Sequence, residues 1–552
     1  MAGATAFGDH YAVRGFPVDA VDPNRDDGAG SADTAVTLSQ TTPDADSQGG
    51  EVLAAFRGGA RVLVTTAESL GGTGVAAANL RLALAIIEQE VGTAAADGDL
   101  PVQITWFIDE YHNGVGFRDQ IVRLGRTRAR ISGLNNQPRD QPFVGMVCVS
   151  ATALPSDADA LHTNIGISAG ADVIEVNLNR AGHRCVGRQF PLSMSAVDMG
   201  LAMAKEAAML SLLDDGGIGD DPDRDKGNDR AMIFVLTKDQ ARMLAAKISA
   251  DAVLRAAYGQ AVSYDAKMSA VERQQALAVW QAGEHRREDG SVDRVRILVS
   301  TTALAEGFDR PFVSLVIVVV PLGSVYRTQQ AFGRAGRKAN LKALCMWGWN
   351  IAACAPVAYY IKTGRDLALW LDAIRFCCVP MCRRKGLASR LGQALECACS
   401  GCDQCTVTLP LLAGTGVAGR VPIEATTATQ NLLKMFVPGE PLSVSDILDV
   451  PPKRWCRGPW DADDRVLVDT LAQKILTHAV DTGLLDLRVH HVEAHPGKRH
   501  FQYTLPGEGG EVSSPIAAQV LLGKRAVVIA QRLPGDDRDS PAHDDAGSHP
   551  RG

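Results

Sequence analysis

The sequence predicts an α/β fold of two parallel-sheet lobes, followed by a helical cysteine-bearing platform and a small helical module that closes on a hairpin. Three observations predict it. Apolar runs of strand length alternate with helical patterns in two separate stretches, an acidic Gly-rich segment divides those stretches, and seven of the twelve cysteines fall between Cys377 and Cys405. At 552 residues the chain exceeds what one hydrophobic core supports, and domain-size statistics place it at roughly three or four domains.

Residues 1–50 are expected to form a mobile segment, because 22–50 are rich in Asp, Gly, Ser and Thr and poor in large apolar side chains. The first lobe is expected over 51–213, where RVLVT at 61, VQITWFID at 102, VGMVCVS at 144 and ADVIEV at 171 read as buried parallel strands. An acidic linker spans 214–229. The second lobe, 230–353, repeats the pattern with AMIFVLT at 231, VRILVST at 295, VSLVIVVV at 313 and ALCMWGW at 343. The cysteine-bearing platform covers 354–406, and a Gly-rich linker, LLAGTGVAG, leads into the module at 420–510. The polar tail, 530–552, is expected to be disordered.

The net charge of -7 carries no global basic signature, so any contact with nucleic acid has to come from local patches. No apolar run approaches the ~20 residues of a membrane span. The N-terminal MAGATAFGDH lacks the basic-then-apolar order of a secretory signal. The expectation is an intracellular protein with no membrane partner, nuclear if its source is eukaryotic.

WFIDEYHNG places Asp109 and Glu110 at the carboxyl end of a buried strand, the edge where open α/β sheets bind ligands. Two carboxylates there can hold Mg²⁺ and orient a water, although an acidic pair closing a strand is more often a solvated turn. Context reverses that weighting. Ser150, Ala151 and Thr152 end another strand of the first lobe, and TTALAEGFDRP and QQAFGRAGRKAN follow strands of the second, in an order that chance rarely supplies. GRAGR alone would read as a solvated basic helix end.

This ordered set resembles the superfamily 2 helicases. The resemblance makes Asp109, Glu110 and His112 the acidic box and Ser150 to Thr152 a coupling segment. It makes Thr301 to Asp309, Gly307 included, the loop that couples DNA to ATP, and Gln330, Arg334 and Arg337 the final arginine motif. ATP is the implied substrate and Mg²⁺ its cofactor. Arginines from a facing lobe stabilise the spread charge of a phosphoryl transition state only when the lobes close.

YAVRGFPVDAVDP, RVLVTTAESL and the Asn179-Arg180 pair of VNLNRAGH resemble, in the same order, segments of the RecQ helicases. The cysteines add to that resemblance. A tight cluster in a large intracellular chain favours metal over disulfides. Cys382 is followed after sixteen residues by Cys399, then by Cys402 and Cys405 at two-residue gaps, and Arg383-Arg384 stand directly after the first. The pattern resembles the RecQ zinc-binding domain. Four thiolates close a tetrahedral Zn²⁺ shell and leave no open position, so the predicted site is structural. Cys377, Cys378 and Cys397 read as reduced buried thiols, with Cys397 able to compete as a ligand.

Downstream, TQNLLKMF, LSVSDILDV and DRVLVDTLAQKILTHAVDTGLLDL show helical spacing and end at the arms LDLRVHHVE and RHFQYTL. Their order resembles the RecQ C-terminal winged helix, whose wing tip here, including His495, Lys498 and Arg499, is basic and suits phosphate contact. The fold implied is two RecA-like lobes, the first incomplete, then a helical zinc-binding platform and a winged-helix domain. The function implied is ATP-dependent 3′-to-5′ DNA unwinding at single-strand/duplex junctions, in repair or recombination.

Two features depart from the family. The only Gly-Lys pairs near such a motif are Gly497-Lys498-Arg499 and Gly523-Lys524-Arg525, so no phosphate-binding loop ending in Gly-Lys-Ser or Gly-Lys-Thr is present. The expectation is an N-terminally incomplete motor that hydrolyses ATP poorly alone, with the missing loop encoded upstream. The alternative is an inactive helicase-derived DNA-binding or partner-binding module. The second departure is NGVGFRDQI, shorter than the family's aromatic loop, which leaves Phe117 and Arg118 with Arg180 as DNA candidates outside the wing. Phe117 reads equally well as core packing.

Overall fold

The computed structural model describes residues 35–37, 52–54, 62–64, 75–96, 104–109, 124–127, 144–150, 162–166, 180, 182–213, 229–287, 289–304, 312–337, 342–378, 381–393, 399, 401–405, 420–436, 440–450, 452–456, 465–482, 484–491, 499–504 and 528–532. The chain divides into two compact units. One takes Met1–Leu178 with Glu306–Asp309 and Arg390–Gln393; the other takes Asn179–Ala305, Arg310–Ser389 and Ala394–Gly552.

In the first unit, β1 (Ala35–Thr37) pairs in parallel with β2 (Val62–Val64). The mobile stretch expected from composition is therefore interrupted, because the β-branched Val36 and Thr37 find a partner strand. Helix α1 (Val75–Ala96) buries Leu80 against Val52, with Leu84, Ile87 and Trp106 packed around them. Strands β3 (Ile104–Asp109) and β4 (Val144–Val149) pair in parallel, Asp109 opposite Val149. Ile108 packs with Leu124 and Ile165. The ADVIEV run at 171 lies outside the described residues.

The second unit is organised on a parallel sheet. Its elements follow as β5 (His183–Gln189), α2 (Ala196–Leu213), β6 (Arg230–Phe234), α3 (Lys238–Ala250), α4 (Ala252–Tyr258), β7 (Gln260–Tyr264), α5 (Ala270–Ala282), β8 (Glu284–Arg286), β9 (Val292–Ser300), β10 (Val313–Val318), α6 (Val325–Phe332) and β11 (Ala343–Trp349). The strands lie in the order β5-β11-β10-β6-β9-β7, all parallel, with β8 antiparallel on β9. β6, β10 and β11 are buried almost end to end, as parallel strands covered on both faces are. Capping boxes at Thr237–Gln240 and Ser269–Glu272 start α3 and α5, each satisfying two backbone amides that the helix leaves unbonded. Gly200 allows α2 its close approach: a Cβ there would sit 2.6 Å from Leu244 of α3 and 3.1 Å from Val319.

The sequence pattern places the end of the first lobe at 213, but β5 and α2 belong to the second unit. β5 pairs with β11 along its whole length, from His183 opposite Ala343 to Gln189 opposite Trp349, and α2 packs on β10 and β11. The reason is visible in GHRCVGRQF, where basic side chains break the apolar run; Arg188 pairs with Glu206 of α2.

Helices α7 (Gly364–Cys378) and α8 (Arg383–Arg390) follow β11. Then come β12 (Arg420–Glu424), α9 (Thr426–Leu433), β13 (Leu442–Ser443), α10 (Val444–Asp449), α11 (Pro452–Trp455), α12 (Arg465–Asp481), β14 (Asp486–His491), β15 (Arg499–Thr504) and β16 (Val528–Arg532). β13, β15 and β14 form an antiparallel sheet with β15 in the middle. β16 pairs antiparallel with β12, so the tail expected to be disordered from 530 is strand as far as Arg532. The rest of it lies outside the described residues. No helix among the described residues is long and apolar enough to cross a membrane.

Side-chain bonds to the backbone dock this C-terminal part on the sheet. Buried Gln473 of α12 accepts from Ile351 N at 3.0 Å and donates to Phe190 O at 3.0 Å. Gln189 Nε2 donates to Thr470 O at 3.1 Å, and Trp370 of α7 stacks on Phe501 of β15 with centroids 4.3 Å apart. Gln473→Ala would leave an amide and a carbonyl of the β5 and β11 ends without this partner, at about 1–3 kcal/mol for each buried group. Urea unfolding is expected to show the midpoint falling at unchanged slope; an unmoved midpoint would show that the docking does not depend on this side chain.

Candidate metal centre and arginine loop

The four spaced cysteines converge in the second unit. The Sγ atoms of Cys382, Cys399, Cys402 and Cys405 all lie within 4.8 Å of one another, and those of Cys402 and Cys382 are 4.0 Å apart. Cys382 stands directly before α8, where Lys385 N points at its sulfur at 3.4 Å. The other three come from the turn around 399–405. A bond from Cys399 lowers the Cys402 thiol to about 4, and the same bond pushes the Cys399 thiol up. Burial raises Cys405 to about 12. Four thiols this close cannot all ionise without a compensating cation, and four sulfur donors on two elements could hold a metal ion in a closed shell. Cys377, expected to be a buried thiol, is buried; Cys378 closes α7, and Cys397 lies outside the described residues.

The turn carrying Cys402 is docked on β5. Cys185 N donates to Gly401 O at 2.8 Å, Asp403 N donates to Cys185 O at 3.0 Å, and Cys185 and Cys402 form a parallel bridge. A Cβ on Gly401 would approach His183 O to 2.9 Å, so the contact admits no side chain at that position. Between the ligand positions, Asp403 is buried beside Arg383 at 3.3 Å. Burial raises the Asp403 carboxyl and the Arg383 guanidinium opposes that rise. Arg383 also donates to Phe376 O at 2.7 Å and lies 5.3 Å from the Trp347 ring centroid.

The expected arginine motif occupies α6 and the turn behind it. Ser324 caps the helix, its hydroxyl accepting from Arg327 N. Gln330 and Arg334 are buried and Arg337 half-buried. The turn is held by Gly333 N to Gln329 O, Arg334 N to Ala331 O, Ala335 N to Phe332 O and Gly336 N to Val313 O. Arg337 Nε folds back to Gly333 O at 3.0 Å. Because Val313 opens β10, the loop sits at the amino ends of the parallel strands.

Arg180, expected to meet DNA, donates its Nη1 to Gly333 O at 3.1 Å and to Ala335 O at 2.7 Å. His183, which no sequence motif singled out, places Nε2 3.0 Å from the Ala335 carbonyl. Burial holds the His183 imidazole down to about 4, with the Ala335 bond working the other way. The ring is therefore neutral at ordinary pH and its Nε2–H donates to that carbonyl.

Thr301 follows β9 at the opposite edge of the sheet, the carboxyl ends, with its N–H directed at Tyr264 O. Gly307 and Asp309 lie outside the described residues. In the first unit Asp109 ends β3 and Ser150 directly follows β4, so the parallel register brings these two backbone positions to one sheet edge. Glu110, His112, Phe117, Arg118, Ala151, Thr152, His495 and Lys498 lie outside the described residues; Arg499 opens β15 opposite His491.

Residues 205–339, from α2 through the arginine loop, match the family model of the helicase conserved C-terminal domain. No curated protein sequence matches the chain. Among solved structures it is similar to S. cerevisiae Dbp5 bound to RNA and ADP BeF3, at 16% identity and TM-score 0.33 over 58% of this chain and 63% of that one. It is similar to the DUF1998 helicase MrfA bound to DNA and AMPPNP, at 17% and 0.39 over 65% and 44%. The Mycobacterium smegmatis helicase Lhr bound to ssDNA and AMP-PNP gives 16% and 0.36 over 85% and 47%. The chain spans less than two thirds of the length of each.

The four-sulfur cluster yields a direct test. Metal analysis of the purified chain is expected to return about one tightly held divalent ion, as a closed four-thiolate site requires. The double variant Cys402→Ser, Cys405→Ser is expected to return none and to melt at lower temperature. A folded wild-type chain free of metal would contradict the assignment.

Proposed function

We propose that this chain is part of the motor of a RecQ-like, ATP-dependent DNA helicase that unwinds 3′-to-5′ at single-strand/duplex junctions. The observation that carries the reading is the meeting of four cysteines, with sulfurs within 4.8 Å, on the same strand end that holds the arginine loop. The helicase C-terminal match over 205–339 supports it, as does the order of the sequence motifs.

In this reading Cys382, Cys399, Cys402 and Cys405 hold Zn²⁺, which supplies a crosslink rather than chemistry. Arg334 and Arg337 stabilise the charge that develops on the transferring phosphoryl group of ATP, with Gln330 beside them. Asp109 and Glu110 handle Mg²⁺ and the attacking water. Ser150 to Thr152 and Thr301 to Asp309 couple hydrolysis to DNA. The module at 420–510, whose helices precede the β14-β15 hairpin, is the winged helix, and the segment from His495 to Arg499 engages duplex phosphates. Phe117 stacks a base, worth ~1–3 kcal/mol.

The test is DNA-stimulated ATP hydrolysis by the natively expressed polypeptide, compared with its Glu110→Gln and Arg337→Ala variants. Each substitution is expected to cost about 10²-fold or more in kcat while binding of single-stranded DNA persists. Equal rates in wild type and variants would sink the assigned roles. DNA binding without any DNA-dependent hydrolysis in the wild type would replace the enzyme with a DNA-binding module.

A further inference from the structure

We infer that Arg180 and His183 are positioning residues that fix the loop of Arg334 and Arg337 by closing the end of helix α6 from another strand. A helix leaves its last carbonyls without intrahelical partners. At the end of α6 two carbonyls of the following turn, Gly333 O and Ala335 O, point toward the amino end of β5. Each backbone carbonyl offers two lone pairs, and here both pairs are taken. Gly333 O accepts from Arg180 Nη1 at 3.1 Å and Arg337 Nε at 3.0 Å. Ala335 O accepts from Arg180 Nη1 at 2.7 Å and His183 Nε2 at 3.0 Å. A guanidinium at a helix carboxyl end also meets the negative end of the helix dipole.

The clamp acts on the arginines through the backbone. Gly333 O belongs to the peptide plane that enters Arg334 and Ala335 O to the plane one residue beyond it, so holding both carbonyls restrains the backbone from which Arg334 emerges. Gly333 O is also the acceptor that anchors Arg337 Nε, so displacing Gly333 displaces the root of the second guanidinium. The clamp is itself anchored. Arg384 Nη2 reaches Arg180 O at 3.4 Å, Ala343 N donates to Gly182 O at 2.9 Å, and Cys185 pairs with Gly401 and Asp403 of the cysteine turn. The cysteine centre, β5 and the arginine loop thus form one bonded series.

Arg180→Met and His183→Phe remove the clamp, whereas Arg180→Lys and His183→Gln keep an N–H donor at each position. The first measurement is amide hydrogen exchange in the full chain, which needs no catalytic activity. Gly333, Arg334, Ala335 and Gly336 all donate backbone bonds, so their amides are expected to be protected in the wild type. In Arg180→Met and His183→Phe these four are expected to exchange about tenfold faster or more, as loss of a local bond network opens one segment before the fold. The amides of β6 and β10 are expected to keep wild-type rates, and the Lys and Gln variants to restore protection. Unchanged exchange at 333–336, or faster exchange throughout the second unit, would overturn the inference.

The second measurement rests on the proposed ATPase. Misplacing transition-state groups lowers kcat rather than ATP binding, so in the natively expressed polypeptide the clamp variants are expected to lose about tenfold or more in kcat with KM within about twofold. If Arg334→Ala abolishes hydrolysis while the clamp variants hydrolyse normally, the positioning role fails and the helicase reading stands. If 333–336 loosen in the clamp variants but Arg334→Ala hydrolyses normally, the clamp stands and the helicase reading fails.

Discussion

The second unit depends on how the outer edge of β5 is closed. β5 pairs with β11 on one side, and the backbone groups on its other side would otherwise be an open template for another strand. The cysteine turn occupies that edge through Gly401 O and Asp403 N on either side of Cys185. Cys402, Asp403 and Gln404 of that turn are buried against the sheet edge. The turn carries Cys399, Cys402 and Cys405, whose sulfurs meet that of Cys382 within 4.8 Å of one another. Edge closure and thiol convergence thus involve the same turn.

Buried charge follows from the same arrangement. Arg383 lies between the first cysteine and the sheet, covered by Trp347 and Phe376, and its partner Asp403 sits between two ligand positions. Losing one member of such a pair leaves an uncompensated buried charge and costs about 3–5 kcal/mol. Arg384 continues the path to Arg180, and Arg180 to the carbonyls of the arginine loop. The four-cysteine centre is thereby connected by hydrogen bonds to the residues proposed to act on ATP.

What could be read beforehand follows from how local each signal is. β6, β9, β10 and β11 announce themselves as continuous apolar runs because both faces of a central parallel strand are buried. The cysteine set is equally legible, since ligand spacing is written in consecutive residues. β5 and β7 carry no such signal: HRCVGRQ contains His183, Arg184 and Arg188, and QAVSY is mostly half-buried. β1 lies in a polar stretch and pairs with β2, whereas β16 starts in the apolar run AVVIA and runs into the polar tail, pairing with β12. The clamp is the least legible element. Arg180 stands in a recognisable segment, but its acceptors are backbone carbonyls more than 150 positions away, and a carbonyl has no side-chain signature.

The most direct test of the account is amide exchange at Cys185 and Asp403, followed while a chelator removes metal from the natively folded chain. Their N–H groups are the two that join the cysteine turn to β5. Both amides are expected to lose protection as metal leaves, with β5 following them, while β6 and β10 remain protected. Retention of both amides at their original rates after complete metal removal would contradict it, because the edge of β5 would then be closed without the four-cysteine centre.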